Sequence, residues 1–484
     1  MKAIIAARKE KAKKLEEQGV FPWPVFCYRT HQIAEALKSF DKFLKSKEEV
    51  VLAGRIVAKR GHGSISFLDI KDGTGKIQIV LRKDGVGEKA YRFFKEFFDL
   101  GDFIEVRGRL IKTKTGERSL AAGNFRMLAK STRPLPEKWH GLKDIEERYR
   151  KRYLDLVFND EVRRVFEIRG EILKRLREFL NKEGFLEVET PTLQPVYGGA
   201  RARPFKTHLN ALDMDMYLRI SPELYLKRLL IGGFEKVFEI GKCFRNEGVD
   251  RAHNPEFTML EFYWAFGDYK ELMKLTEKMI AFLLKKIVGK TKLDYEGSTL
   301  DFKTPWERID FTDLLMKETG IKYDEISAEG MRRKAGELGV EVDKNLPKAE
   351  VADEIYKKYC REKIKNPTFV IHHPIGFQPL AKASEKNKKR LASFQVVVAG
   401  MELVNAFSEL NNPIEQEKRF REGESLFKKG LPEAQRFDRD YIEALGYGMP
   451  PAAGFGMGVD RLAMLVAGAR SLREAILFPT MRPK

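Results

Sequence analysis

The sequence predicts an α+β protein with two domains, a small β-barrel followed by a larger mixed domain. The chain has 484 residues, which is too long for one ordinary hydrophobic core. Strand-like alternation dominates residues 50–130, whereas helical and strand patterns are mixed over residues 151–484. The proline-rich segment 131–150, which ends in a basic and aromatic run, separates the two patterns and is predicted to be a linker.

The first predicted domain follows a helical segment over residues 1–49, in which Pro22 and Pro24 end a charged helix. Short strands are predicted at 50–57, 64–70, 76–81, 103–110 and 125–129. This pattern is typical of an oligonucleotide-binding (OB) barrel, which stacks bases on aromatic rings in a positive groove. If Phe67 and Gln78 face the same way, they suit stacking on a base and bonding its edge. The alternative is that Phe67 belongs to the core.

Charge and cysteine content limit the classes of function. Lys plus Arg number 90 against 71 for Asp plus Glu, and this net charge of +19 favours nucleic acid as a partner. The alternative is a lysine-rich solvated surface. The cysteines Cys27, Cys243 and Cys360 are far apart, which argues against disulfides or zinc and favours a reducing cytoplasm. No apolar run reaches the length of a membrane span, and the basic start does not resemble a signal peptide. We therefore expect a cytoplasmic protein with no membrane partner.

A loop over residues 244–258 combines groups that suit a nucleotide. Arg245 supplies a cation for phosphate, Phe257 supplies a flat ring for a base, and Glu247 and His253 supply polar groups. Farther along, a G-x-G-x-G run at 454–458 is neither a dinucleotide fingerprint nor a Walker loop. Arg461 follows it by three residues, at the start of a predicted helix. Arg461 is suited to phosphate, and the alternative is a surface ion pair.

Two acids are predicted to face inward beside aromatic side chains. Glu261 and Tyr263 alternate on one face of a strand, and Asn405, Phe407 and Glu409 have the same two-residue spacing. A buried carboxylate is costly unless it is paired. The set therefore suits a ligand with an ammonium group on an alkyl stem, and the alternative is a structural salt bridge.

Four further segments complete the pattern. Gly199 lies in a turn at 198–205 whose backbone can approach a ligand closely. Glu223 is predicted at a helix start, where an acid is favourable without any ligand. An amphipathic helix is predicted over residues 160–183, and Gly184 ends it. This helix, with the strand that Pro191 stops, suits either core packing or a dimer contact.

Taken in order, these segments resemble the three motifs of the class II aminoacyl-tRNA synthetases, and most closely those specific for lysine. The similarity extends from about residue 8 to residue 483 and is most specific at 198–205, 217–228, 244–263, 402–412 and 454–461, with the linker at 133–142 also similar. It implies an anticodon-binding OB-fold domain over residues 50–130. It also implies a catalytic domain over residues 151–484, with a mostly antiparallel sheet flanked by helices and an insertion near 290–370.

The resemblance implies a role for each candidate residue. ATP would be held by Arg245, Glu247, His253, Asn254, Phe257, Glu402 and Arg461, of which Arg245 and Arg461 would be catalytic. L-lysine would be bound by Gly199, Glu223, Arg245, Glu261, Tyr263, Asn405, Phe407 and Glu409. Phe67, Gln78 and Glu117 would read the anticodon. Glu402 would bind Mg²⁺, with Glu409 as a second candidate ligand. The implied homodimer would attach L-lysine to tRNA(Lys) through a lysyl adenylate made from ATP, releasing AMP and pyrophosphate.

The sequence departs from the family at Gln395, where the family has an acid seven residues before Glu402, and more loosely over residues 373–382. Because one negatively charged ligand is lost, we expect magnesium to bind more weakly or fewer magnesium ions to bind. Three other interpretations remain open. An enzyme for aspartate or asparagine would need cations or amides in place of Glu261 and Glu409. A paralogue that transfers lysine or β-lysine to a protein usually lacks the barrel, and Gln395 is also consistent with a non-catalytic RNA-binding scaffold.

Overall fold

The computed structural model describes residues 1–136, 144–431 and 433–483, without the side chain of residue 62. The chain divides into two compact units, Met1–Lys143 and Asp144–Lys484. Within the linker that the sequence predicted, residues 137–143 lie outside the described part. None of the described helices has the length and apolar content needed to cross a bilayer.

The first unit is a closed five-stranded barrel with short helices. The helices are α1 (Lys2–Glu17), α2 (Ile33–Lys38), α3 (Phe40–Ser46), α4 (Lys83–Val86) and α5 (Glu88–Phe97), and the strands are β1 (Glu49–His62), β2 (Ile65–Lys71), β3 (Lys76–Arg82), β4 (Phe103–Lys112) and β5 (Arg118–Ala129). The strand order is β1-β2-β3-β5-β4, with β3 and β5 parallel. The predicted OB barrel is therefore confirmed. Phe94 of α5 and Phe98, which directly follows this helix, are fully buried in the core of the barrel.

The second unit is a mixed domain of helices around a large sheet. Its helices are α6 (Ile145–Arg150), α7 (Arg152–Phe158), α8 (Asp160–Lys182), α9 (Glu223–Ile231), α10 (Tyr269–Ile287), α11 (Phe311–Thr319), α12 (Ala328–Glu337), α13 (Lys348–Tyr359), α14 (Pro413–Lys428), α15 (Arg439–Gly446), α16 (Val459–Ala467) and α17 (Leu472–Ala475). Its strands are β6 (Leu186–Glu187), β7 (Leu193–Gln194), β8 (Lys206–Leu209), β9 (Met214–Leu218), β10 (Lys236–Phe244), β11 (Glu256–Ala265), β12 (Lys292–Tyr295), β13 (Ser298–Asp301), β14 (Glu307–Asp310), β15 (Thr368–Ile371), β16 (Ser393–Val398), β17 (Met401–Ser408) and β18 (Ala452–Gly458).

The eight strands of the main sheet run in the order β14-β15-β16-β17-β18-β11-β10-β6. They are antiparallel except for the pairs β14–β15 and β10–β6, so the predicted mostly antiparallel sheet is confirmed. One face packs against α8, α10 and α16. Phe262 of β11 and Phe455 of β18 stack there with ring centroids 4.3 Å apart. Because strand side chains alternate, the residues between them face the other side.

Two local predictions agree with the structure of the second unit. Helix α8 covers almost the whole predicted span, and Gly184 follows it with φ +84°, a conformation that favours glycine. The G-x-G-x-G run is strand β18, and the following helix begins at Val459. The segment predicted as an insertion holds three helices with their own core and also supplies β14 and β15 to the sheet.

Candidate active site

A cavity of about 590 Å³ lies over the face of the sheet that is opposite α8, α10 and α16. Its floor is made of glycine. On β18, Gly454 pairs with Tyr263 on one side and Phe407 on the other. Gly456 pairs in the same way with Glu261 and Asn405. At Gly454 and Gly456 the central strand thus has no side chains on this face, and its neighbours project polar and aromatic groups around the space that the glycines leave open.

One end of the cavity carries the predicted nucleotide residues. The Arg245 guanidinium lies 5.0 Å from the centroid of the Phe257 ring, and its Nε is buried without a hydrogen-bond partner among the described residues. Arg461 Nη1 donates to the Glu402 carbonyl oxygen at 2.7 Å. His253 Nε2 lies 3.4 Å from Arg461 Nη2. A flat ring with one arginine over it and a second arginine in the same cavity suits a base and a polyphosphate.

The opposite end carries the predicted amino-acid residues. Glu261 accepts hydrogen bonds from Ser221 Oγ at 2.7 Å and from the Tyr263 hydroxyl at 3.0 Å. Burial, followed by the charge of Glu223, raises the pKa of Glu261 to about 8. A carboxyl group in this state gains most from a ligand that brings a positive charge. Asn405 Oδ1 accepts from Gln378 Nε2 at 2.6 Å, which fixes the orientation of its amide.

Gly199 and Glu223 adjoin each other at the rim of this end. Gly199 has φ +85°, and a Cβ there would lie 2.8 Å from both Glu223 Cβ and Ser221 Oγ. The position therefore requires glycine for its conformation and for space. Glu223 begins α9 as predicted and lines the cavity. Glu247 and Asn254 also line the cavity, at the nucleotide end.

Glu409 differs from the free inward acid that the sequence predicted. Its Oε2 contacts Lys227 Nζ, and both side chains are completely buried. Lys227 also lies 2.5 Å from Glu223 Oε1. Glu409 is not part of the cavity lining, so its second role as a magnesium ligand has no support. Sequence analysis missed Lys227, although its (i, i+4) spacing from Glu223 on α9 was a usable signal.

The magnesium expectation rests on Glu402, which lines the cavity beside Arg461. Its Oε2 accepts a hydrogen bond from Gln395 Nε2 at 2.9 Å, so the glutamine occupies the position of a second acid without adding charge. Among the described residues, no group of three or more His, Cys, Asp and Glu side chains is arranged to hold a metal. One carboxylate still fits Mg²⁺, which is commonly held by one or two carboxylates together with substrate phosphates.

The segment 341–361 forms a cavity wall that sequence analysis missed. Glu350 and Asp353 of α13 line it, and Glu350 forms an ion pair with Arg201. Burial raises the pKa of Glu350, and the charge of Arg201 opposes that shift. These residues lie far from the three motifs in sequence, so no spacing rule could have assigned them to the site.

The predicted anticodon residues lie in the barrel. Phe67 pairs with Val80, and Asp69 pairs with Gln78. Phe67 is half-buried between the inward residues of β2, so it lies on the outer face together with Gln78. This excludes the alternative in which Phe67 is core. Ser119 Oγ donates to Gln78 Oε1 at 3.0 Å and lies 3.3 Å from the carbonyl oxygen of Glu117. Phe67 and Gln78 therefore share one outer face, and Glu117 lies directly before β5.

The two units correspond to recognised protein families. Residues 144–482 match the family model described as tRNA synthetases class II (D, K and N), and residues 50–128 match the OB-fold nucleic acid binding domain. This protein therefore belongs to the class II tRNA synthetase family, and the resemblance predicted from its motifs is confirmed. Curated proteins that are similar over the whole chain share one enzyme name. A lysine–tRNA ligase of Carboxydothermus hydrogenoformans is 47% identical over 99% of this chain and 98% of the relative.

Two further relatives are also lysine–tRNA ligases. A lysine–tRNA ligase of Moorella thermoacetica is 46% identical, and one of Roseiflexus sp. is 47% identical, each over 99% of this chain and 98% of the relative. The likeness therefore covers the barrel as well as the catalytic unit. This argues against the paralogue interpretation, in which only the catalytic domain is similar.

Proposed function

We propose that this protein attaches L-lysine to tRNA(Lys) in an ATP-dependent ligase reaction through a lysyl adenylate, releasing AMP and pyrophosphate. The observation that carries the proposal is a single cavity with cations and an aromatic ring at one end and buried acids at the other. An acidic or amide substrate suits the acid end poorly, because Lys227, its buried cation, is already bound to Glu223 and Glu409. Glu261 instead accepts hydrogen bonds from the hydroxyl groups of Ser221 and Tyr263, so its carboxyl group is available to a cationic ligand.

The proposed chemistry needs no covalent enzyme intermediate. The lysine carboxylate attacks the α-phosphate of ATP, and pyrophosphate leaves in line. Negative charge grows on the equatorial oxygens, and Arg245 is the group placed to stabilise it. Arg461 binds the phosphates, and Phe257 stacks on adenine. A ribose hydroxyl at the tRNA terminus then attacks the adenylate. We assign no general base to this second step.

The amino-acid subsite follows from the acid end of the cavity. Gly199 and Glu223 receive the α-amino group of lysine. Glu261 and Tyr263 receive its ε-ammonium. The charge of Glu409 also stabilises this ammonium group, although Glu409 does not line the cavity. Asn405 and Phe407 line the alkyl stem, and Glu247, His253 and Asn254 complete the ATP subsite. Mg²⁺, held by Glu402 and the phosphates, supplies charge neutralisation when bound.

Lysine-dependent ATP–pyrophosphate exchange tests the proposal. Purified protein is expected to exchange labelled pyrophosphate into ATP with L-lysine and not with aspartate or asparagine. It is then expected to charge tRNA(Lys) with lysine. No exchange with any amino acid would support the RNA-binding scaffold, and exchange with aspartate or asparagine would support that rival enzyme.

Gln395→Glu is expected to lower the Mg²⁺ concentration that gives half-maximal exchange. A glutamate there would lie beside Glu402, at the 2.9 Å that now separates the Gln395 amide from it. Two such carboxylates repel until a divalent ion joins them, so Mg²⁺ alone is also expected to raise the melting temperature more than in the parent. Gln416→Glu is the matched control, because Gln416 is equally buried and lies outside the cavity lining. An unchanged Mg²⁺ dependence would refute the proposed effect of Gln395.

Affinity for tRNA(Lys) is expected to fall steeply with salt, because bound cations are released from phosphates when protein binds. If about six phosphates are neutralised, affinity falls by roughly 10³-fold between about 50 and 200 mM salt. Phe67→Ala is expected to weaken binding by about 1–3 kcal/mol with little change in the salt slope, since stacking involves no phosphate. A filter-binding titration measures both quantities. A flat salt response would contradict the electrostatic contribution.

The assembly and the domain limits are further parts of the proposal. We propose a homodimer through α8 and Pro191. Leu186, on the edge strand β6, is 49% exposed, and Leu193 is 45% exposed, so apolar surface lies beside α8. Light scattering is expected to give twice the chain mass. We also propose a cytoplasmic location, an anticodon-binding domain over residues 50–130, a linker over 131–150 and an insertion near 290–370 of the catalytic domain.

A further inference from the structure

Lys227 is a buried cation beside the amino-acid subsite, and the proposed reaction does not use it. Its side chain has no exposed surface. Its Nζ binds Glu223 of α9 and Glu409 after β17, so one ammonium group joins a helix to the central sheet. The same Nζ lies 5.6 Å from the centroid of the Phe407 ring. A charge so fully desolvated is retained only where its partners hold it.

The charges at this end of the cavity are matched in number to one kind of ligand. The buried carboxyl groups are Glu223, Glu261 and Glu409, and the buried ammonium is Lys227. When all are ionised, the group carries a net charge of −2. Lysine carries two ammonium groups, and its carboxylate is directed to the α-phosphate. Without Lys227, one negative charge would be left uncompensated in a low-dielectric site, which is costly.

The two oxygens of Glu409 have different surroundings. Oε2 contacts Lys227, and neither oxygen accepts a hydrogen bond of ordinary geometry in the part of the chain that the structure describes. Oε1 lies against Gly454 in the cavity floor, where any Cβ would overlap it, and beside the Tyr263 ring. A buried acceptor left unpaired is unfavourable, so this oxygen is suited to a donor that arrives with the ligand.

We propose that Lys227 determines amino-acid specificity as a fixed internal counter-ion, holding Glu223 and Glu409 in position and leaving charge for two ligand ammonium groups. This inference rests on the proposed function. Lys227 is a positioning residue, since it acts on the substrate through the two acids. Burial alone would lower the pKa of Lys227, but the charges of Glu223 and then Glu409 raise it above the ordinary value, so the counter-ion stays protonated.

The first test is Lys227→Met, which keeps an unbranched side chain and removes the charge. The KM for lysine in pyrophosphate exchange is expected to rise by about 10²-fold, with the KM for ATP changed by less than about threefold. Lys130→Met is the matched control. Lys130 is also fully buried and lies 2.6 Å from Asp99 and 2.7 Å from Asp102, but it belongs to the barrel unit. It is expected to lower the melting temperature without changing the KM for lysine.

A second test separates charge matching from a structural role and also serves if Lys227→Met fails to fold. Glu409→Gln alone leaves a net charge of −1, whereas the Lys227→Met/Glu409→Gln double variant returns it to −2. The double variant is therefore expected to bind lysine with a KM at least about tenfold lower than Glu409→Gln alone. A purely structural Lys227 would make the double variant equal or worse, which would overturn the inference.

These outcomes also separate the inference from the proposed function. If the unmodified protein shows no lysine-dependent exchange, the proposed function fails. If the unmodified protein is active and Lys227→Met is folded, a KM for lysine within about threefold of the parent value refutes the role of Lys227 alone. The same conclusion follows if the double variant is no better than Glu409→Gln.

Discussion

Replacing Arg245 with glutamine is expected to lower kcat for lysine-dependent pyrophosphate exchange by about 10³-fold, because a preorganised cation at the developing charge is lost. Arg245 lies over the Phe257 ring and keeps a buried Nε without a partner among the described residues. This donor is therefore available to a ligand without the loss of a hydrogen bond within the described part of the protein. Steady-state exchange at saturating ATP and lysine measures the effect.

Arg251→Gln is the control for this prediction. Arg251 lies on the same loop but does not line the central cavity, and its side chain is 58% exposed. Its removal is expected to leave kcat within about twofold of the parent, as is usual for surface substitutions. An Arg245→Gln variant with a kcat close to that of Arg251→Gln would exclude Arg245 from stabilising the transition state.

Replacing Glu261 with glutamine is expected to raise the KM for lysine by about 10²-fold, because a buried partner of an ammonium group is removed. The pH dependence is the more specific readout. Burial and the charge of Glu223 raise the pKa of Glu261 to about 8, so the group is largely protonated at neutral pH in the empty site. An ammonium ligand favours the carboxylate, so lysine binding below this pKa releases a proton.

The sign of the pH effect follows from that proton release. Between about pH 6 and 8, the KM for lysine is expected to fall by about tenfold per pH unit and then to level off, because Glu261 is ionised before lysine arrives. In Glu261→Gln, this slope is expected to disappear. Glu239→Gln is the matched control, since Glu239 pairs with Glu261 across β10 and β11, is equally buried, and binds Arg219 outside the cavity. If the KM for lysine of the unmodified protein did not change with pH over this range, a raised pKa of Glu261 would be excluded.

The residues that form the two ends of the site were predictable from local patterns. The two-residue period of strands places Glu261 with Tyr263, and Asn405 with Phe407, on common faces, and β11 and β17 have that arrangement. Helix signals located α8 and the start of α9 at Glu223. The role of the G-x-G-x-G run could not be predicted from the sequence pattern. A glycine pattern does not reveal that β18 lies centrally, between β11 and β17.

What the sequence by itself determined about this protein is therefore the fold class, the family and the faces on which its polar side chains lie, since periodicity and motif spacing are local properties of the chain. Only the tertiary structure decided that Lys227 binds Glu409, that Gln378 orients Asn405, and that α13 forms a wall of the cavity. These contacts join residues distant in sequence. They depend on strand order and helix packing, which bring side chains together without leaving a periodic signal along the chain.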